Sequence, residues 1–387
     1  MDYDLGEHAV ELRERLRALI AQEIPEDFRG ALGNDPVTNE ISDRFCRKLG
    51  EEGLLTINWP EHWGGSDADV WSQAVLREEM WAHYEPRGPQ YMGLNWVGPA
   101  IMRFGTEAQQ EEFLTSIAAG EAHWCQGFSE PGAGSDLASL TLAAKRADDG
   151  TWRLDGQKIW TSYAEVADTC FLATRTSTEG RKQAGITIFL VPMDRAGIEV
   201  RQIDSIMGSG HLHELFFEDV VAHDADILGA PGQGWEIIRA VLDFERVGIA
   251  RYARSDRLLS ELWEHMADQP ELIDGELGLR HVRGLVRTRV ARLLSYRTVG
   301  RLDDGTITSG DPAVARLAST ELDKELAELA AEVLGEDALS NDPEAPLGGF
   351  VEDAWRYARA SGIASGTTEV QRLLISRDLT GAAGRKQ

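Results

Sequence analysis

Basic residues are scarce in this chain. Lys and Arg number 39 against 65 Asp and Glu in 387 residues, a formal net charge of −26. So acidic a surface argues against binding nucleic acid or an anionic membrane by bulk electrostatics, though a phosphorylated small ligand needs only a local basic patch. Cysteine is scarcer still. Cys46, Cys125 and Cys170 are odd in number and far apart in sequence, which reads as reduced thiols in a cytoplasmic protein rather than a disulfide frame. No apolar run approaches the ~20 residues of a membrane span. The acidic N-terminus has no apolar stretch behind it and so gives no sign of a signal peptide. The nine histidines show no metal-ligand spacing, and no metal site is expected. His211 and His213 stand on a glycine-flanked stretch that reads as a solvated loop. Linkers, low-complexity segments and internal repeats are missing too.

What is present is an apolar content of 42%, enough for a real core. Its periodicity changes twice. Leu12, Leu16, Leu19 and Ile20 fall on one helical stripe, which Pro25 ends. A second helix is expected from Trp71 to His83, and Thr106 is placed to cap another that carries Gln109 to Phe113. The segment from Trp59 to Gly65 reads as a turn between helices. Between about 123 and 228 short apolar runs bounded by Gly, Pro and charge predict strands, at Thr169 to Thr176, Gly185 to Val191 and Glu214 to Phe217. From Gly234 the helical period returns, with a polar break near Pro343 to Gly349. Helices, strands, helices is an α+β layout. The expected domains are an N-terminal helical one over 1–122, a middle β domain over 123–228 and a C-terminal helical bundle over 229–387.

Two runs in the middle carry chemistry. Trp124 to Asp136 reads WCQGFSEPGAGSD, a glycine-rich turn that lets a ligand approach main-chain N–H groups. Asp155 to Ser162 reads DGQKIWTS. Asp-Gly favours a tight hairpin, which would deliver Trp160, Thr161 and Ser162 to a strand end. An aromatic face beside two hydroxyls suits a planar ring with polar edges. Further on, Glu245 sits in the apolar stripe of Ile238, Val241, Leu242, Ile249 and Tyr252. A carboxylate there has two readings. It is a desolvated general base with a raised pKa, or a structural acid paired with Arg246 or a residue of another helix.

In order and spacing these runs resemble the acyl-CoA dehydrogenase family of flavoenzymes, whose signatures read roughly T-E-P-G-A-G-S-D and K-x-W-x-S. The resemblance extends over nearly the whole chain, with further matches near residues 59–65, 215–246 and 363–372. It implies the family fold: helical N-terminal domain, β-barrel-like middle domain and C-terminal four-helix bundle. It also implies FAD as cofactor and the α,β-dehydrogenation of an acyl-CoA thioester to a trans-2-enoyl-CoA, with electrons passed to an electron-transfer flavoprotein. Most members carry their base in a stretch like Y-E-G-T, and here Ser365 stands in its place. A minority carry it in a motif like D-x-E-R, which Asp243-Phe244-Glu245-Arg246 matches, so the resemblance implies Glu245 as the base.

By the same resemblance Gln126, Phe128 and Ser129 match the residues at the isoalloxazine edge. Trp160 matches the aromatic against the ring and Ser162 the hydroxyl near N5, with Thr161 between them. Thr367 and Glu369 match residues of the pyrophosphate and adenosine end, while Ser135, Asp243 and Arg246 match the CoA arm. Several also suit purely structural roles: a core aromatic for Trp160, local caps for Ser129 and Ser135, an N-cap for Thr367. One departure concerns assembly. The family's R-x-x-F-G motif, which reaches a neighbouring subunit's cofactor, is absent from the region between Glu271 and Arg283. Similar bacterial enzymes for sterol side chains also lack it and form α2β2 assemblies. A homotetramer is the default and α2β2 the alternative. A flavin monooxygenase or oxidase on the same fold, or a subunit with a degenerate site, are the competing functions. Acyl-chain length and branching are not legible.

Overall fold

The computed structural model describes residues 5–29, 35–246 and 250–381, with the backbone alone at residues 209 and 242–246. Helices fill the first third: α1 (Gly6–Glu23), α2 (Pro36–Glu51), α3 (Val70–Ala82), the single turn α4 (Gln90–Met92), a π-helical turn (Gly93–Val97), α5 (Gly98–Phe104) and α6 (Glu107–Ala118). Their ends follow from local chemistry. α1 buries the Leu12, Leu16, Leu19, Ile20 stripe and stops ahead of Pro25, whose ring cannot continue a helix. Asp35 caps α2 by accepting from the N–H groups of Val37 and Thr38, with Pro36 just inside the start. Thr106 and Gln109 form a reciprocal capping box at α6.

Eight strands follow: β1 (Trp124–Gly127), β2 (Ala143–Arg146), β3 (Trp152–Ser162), β4 (Thr169–Arg175), β5 (Ile186–Pro192), β6 (Ile198–Ser205), β7 (Gly208–Ala222) and β8 (Ile227–Leu228). They make one mixed sheet in the order β6-β7-β3-β2-β4-β5-β8, with β1 paired parallel to β4. Its core gathers Leu142, Leu154, Leu172, Phe189, Val191, Leu215 and Phe217. The last third is helical again: α7 (Gly234–Arg246), α8 (Arg251–Met266), the short α9 (Pro270–Ile273), α10 (Glu276–Asp303), α11 (Gly310–Leu334), α12 (Phe350–Ala360) and α13 (Thr368–Leu379). The layout is the α+β order read from the sequence.

By contacts the chain forms two compact units. One gathers α1, α3 and α8–α13; the other gathers α2, α4–α6, the sheet and α7. Inside the first, the buried Glu78 of α3 accepts from Tyr252 of α8 at 2.8 Å and Tyr296 of α10 at 2.9 Å. Arg292 stands 3.2 Å from the same oxygen, so this buried acid is paired as well as hydrogen-bonded.

Three expectations are corrected. Asp155-Gly156 is not a hairpin turn, because β3 runs straight through it. The pairing of β3 with β7 slips between Leu154 and Gly156 instead, a β-bulge. Gly156 takes φ +143° there, and a Cβ would come 2.9 Å from the Leu142 backbone. The glycine serves a bulge and a close approach rather than a reversal. His211 and His213 are not on a solvated loop; both lie in β7, and His213 is only 1% exposed. Nor does one helix carry the stripe from Ile238 to Tyr252. α7 is described as far as Arg246, and Tyr252 belongs to α8, whose N-cap Ala250 is non-helical at φ −83°, ψ 43°. Ile238 and Val241 are fully buried and Tyr252 is 3% exposed, whereas Ile249 lies outside the described residues and so does the side chain of Leu242.

Candidate active site

Trp160 occupies an unusual place on β3. Alternation along a strand would put residues 158 and 160 on one face. Lys158 is fully buried, yet Trp160 is 55% exposed. The difference comes from a second register slip, between Lys158 and Thr161, and from a left-handed backbone at Trp160, φ +64°. A bulge re-aims a side chain, and here it turns an indole out of the sheet. A left-handed backbone costs a bulky L-residue about 1 kcal/mol or more, so the rest of the sheet holds it in place.

Thr161 returns to the interior. It is 1% exposed and faces His213 across the β3–β7 pair. The His213 ring Nδ1 lies 3.2 Å from the Thr161 carbonyl. Among the described residues the Thr161 hydroxyl oxygen has no hydrogen-bond partner. Ser162, next along, is partly exposed.

The glycine-rich run begins as strand and ends as turn. Gln126 pairs in register with Phe171, and the Phe128 ring packs 5.6 Å from that of Phe171. Beyond β1 the Ile159 N–H donates to the Ser129 carbonyl at 2.9 Å, and Glu130 and Ala133 exchange both backbone bonds at 3.0 Å. Gly132 and Gly134 have open space where a Cβ would stand, and Ser135 is exposed. Gln126, Phe128 and Ser129 thus lie on and just past β1, and Trp160, Thr161 and Ser162 at the end of β3, with the two segments joined by the Ile159–Ser129 backbone bond.

A buried ion pair fastens this arrangement. Lys158 Nζ donates to Glu130 Oε1 at 2.8 Å and to the Phe128 carbonyl at 3.1 Å. Glu130 also accepts from Thr141 N at 2.7 Å, Thr141 Oγ1 at 2.7 Å and Leu142 N at 2.8 Å. Burial pulls the Lys158 ammonium down to about 8, against the upward pull of Glu130. Burial pushes the Glu130 carboxyl up, but Lys158 and its hydrogen bonds bring it net below the usual glutamate range. Sequence reasoning quoted both residues within motifs and missed the pair. The available signal was a lysine on the core-facing positions of a strand after Trp152 and Leu154.

The other expected residues lie elsewhere. Thr367 is the N-cap of α13, its hydroxyl accepting from Val370 N at 3.3 Å. Glu369 is exposed, and hydrogen bonds from its own N–H, Thr367 and Thr368 hold its carboxyl below the usual range. As a carboxylate it accepts hydrogen bonds, which suits a sugar hydroxyl and not a phosphate. Gly366 at φ +95° precedes the cap. The backbone of Asp243, Glu245 and Arg246 forms the last turn of α7; their side chains lie outside the described residues. Ser365, at φ +55°, is exposed on the loop before α13.

The residues along β1 and β3 fit a flavin. An outward-turned indole supplies a stacking face, Ser129, Ser162 and Gln126 supply polar edge contacts, and the Thr161 hydroxyl has capacity to spare. Among the described residues no group of His, Cys, Asp and Glu could hold a metal, and no helix is long and apolar enough to cross a membrane.

Three family models match in order: acyl-CoA dehydrogenase N-terminal domain over residues 6–121, middle domain over 125–220 and C-terminal domain over 232–380. Among curated proteins the chain is 33% identical to the acyl-CoA dehydrogenase IpdE1 of Mycobacterium tuberculosis, over 96% of this chain and 97% of that one. Among solved structures it is similar to the Tcur3481-Tcur3483 steroid ACAD, with TM-score 0.91 and 29% identity over 98% of this chain and 99% of that one. The ChsE4-ChsE5 complex from Mycobacterium tuberculosis matches over all of both chains, with TM-score 0.88 and 30% identity.

Proposed function

The chain belongs to the acyl-CoA dehydrogenase family, and we propose which of its residues carry out the family's reaction. It is an FAD-dependent enzyme that dehydrogenates an acyl-CoA thioester between Cα and Cβ. When bound, FAD supplies the acceptor for the β-hydrogen, which leaves as hydride. Glu245 takes the α-proton, and the product is a trans-2-enoyl-CoA. Electrons then pass to an electron-transfer flavoprotein. The observation that carries the base assignment is a complementary pair of substitutions: a serine, Ser365, where most members have a glutamate, and a glutamate in Asp243-Phe244-Glu245-Arg246. Serine has no acid–base capacity near neutral pH.

Trp160 would stack on the ring, and Gln126, Phe128, Ser129, Thr161 and Ser162 would hold its edge. Thr367 would hold the pyrophosphate end at a helix start, where free N–H groups and the dipole favour a phosphate, and Glu369 would take a sugar hydroxyl of the adenosine. Ser135, Asp243 and Arg246 line the CoA arm. The substrate is a fatty acyl or sterol side-chain thioester. Relatives known as the steroid ACAD and the ChsE4-ChsE5 complex support the sterol class and a two-chain assembly, and the missing R-x-x-F-G motif agrees with an assembly other than the common homotetramer.

The test is anaerobic mixing of the yellow protein with a panel of straight-chain, branched and sterol side-chain CoA thioesters. Bleaching of the visible flavin band by one class and not by free acids supports the reading. A purified protein that binds no flavin, or a flavin band that no thioester of the panel bleaches, contradicts it.

A further inference from the structure

We propose that Lys158 and Glu130 form a buried clamp that aims the backbone of Phe128 and Ser129, which makes Lys158 a positioning residue for the dehydrogenation. The proposal rests on the reading above that this backbone meets the flavin edge. A buried ion pair is an expensive way to stabilise a sheet, since apolar side chains of similar size fill such a site at least as well. What the pair provides is direction. Every hydrogen bond it makes ends on two short segments, Phe128 to Glu130 and Thr141 to Leu142. The Phe128 carbonyl is held by the ammonium and the Ser129 carbonyl by Ile159 N. A trans peptide is planar, with its N–H opposite its C=O. Fixing the Phe128 carbonyl on Lys158 therefore points the Ser129 N–H away from the sheet interior. The residue two places on, Trp160, is turned outward by the bulge that begins at Lys158. One side chain thus anchors both the turn and the strand that carries the indole.

The clamp depends on charge. The titratable and charged groups that face Lys158 are Glu130, Cys170 and Arg175; Glu130 holds its proton and Arg175 opposes it. Loss of that proton on the alkaline side leaves the Phe128 carbonyl without a charge-assisted partner.

The experiment compares the full-length wild type with Lys158→Met and Glu130→Gln by amide hydrogen exchange of residues 128–133 and by FAD affinity. The clamp predicts faster exchange confined to this turn in Lys158→Met, and an FAD dissociation constant raised about tenfold, the size of one charge-assisted bond. Unchanged exchange in the turn, or faster exchange with unchanged FAD affinity, overturns the positioning role. A wild type that binds no FAD overturns the reading of the site instead, and the exchange comparison then still decides whether the pair clamps the turn. Should Lys158→Met fail to fold, the visible circular dichroism of bound flavin gives a second decision. In wild type it changes with a midpoint at about pH 8. Glu130→Gln removes the group that holds the proton on Lys158, so its midpoint moves to lower pH. The same midpoint in both proteins overturns the clamp.

Discussion

Trp160, the proposed stacking residue, shows what an outward-turned indole costs its fold. Its φ of +64° is glycine-like backbone carrying the largest side chain. Trp160→Gly removes that strain without opening a core cavity, because the indole is half exposed. It is expected to raise the stability of the FAD-free protein by about 1 kcal/mol while weakening FAD binding. Thermal melts with and without FAD check this; a variant that loses stability and keeps FAD affinity contradicts the stacking role. Gly156→Ala is the opposite case. At φ +143°, with the Leu142 backbone 2.9 Å from the new Cβ, it is expected to cost about 2 kcal/mol with no direct effect on chemistry. The Lys158–Glu130 pair also sets a sign for pH. Glu130 is depressed in the fold, so its contribution to stability is present above the ordinary glutamate range and is lost as pH falls through its folded value. Lys158, at about 8, lies below an ordinary lysine. The folded chain sheds that proton first, and this group makes the protein more stable, not less, as pH rises from about 8 toward about 10.4. Weaker FAD retention above pH 8 therefore comes without a matching fall in melting temperature.

At the scale of elements, the sequence was most readable where the cause is local. The α1 stripe, the stop before Pro25, the α3 helix and the Thr106 cap all follow from residues a few places apart. Reading failed where a distant segment decides. Asp155-Gly156 carries a hairpin signature, but β2 and β7 pair on either side of it and keep the strand straight. His213 looks like a loop histidine until β3 covers it. Cys125 and Cys170, 45 positions apart in sequence, are register partners across β1 and β4, both fully buried free thiols. Of the proposed site, the aromatic and hydroxyl residues were picked out as motifs, while the buried Lys158–Glu130 pair beside them was not, because its partners lie in two separate runs. Gln109 gives a test at this scale. Beyond its capping box with Thr106, its side chain donates to the carbonyls of Ala225 at 2.8 Å and Ile227 at 3.0 Å. Gln109→Ala is expected to cost about 2–3 kcal/mol in chemical denaturation, and Glu107→Ala, exposed at the start of the same helix, well under 1 kcal/mol.

At the scale of the whole molecule, an apolar stripe among the described residues is left unexplained by the fold of the chain. Leu279, Val282, Val286, Val290 and Leu293 line one face of α10, each about half exposed. Such a stripe on a chain with a net charge of −26 fits burial in an assembly, homotetramer or mixed. Val286→Asp is expected to lower the mass measured by light scattering toward the 42.7 kDa of one chain, and an unchanged mass places the contact elsewhere. The proposed chemistry hangs on Glu245. The decisive measurement is the anaerobic single-turnover rate of flavin bleaching by the best acyl-CoA substrate, in wild type and in Glu245→Gln. If Glu245 is the base, the variant keeps its yellow colour and its substrate affinity, while the bleaching rate falls by about 10²–10⁴-fold. Bleaching at close to the wild-type rate in Glu245→Gln would place the proton acceptor elsewhere.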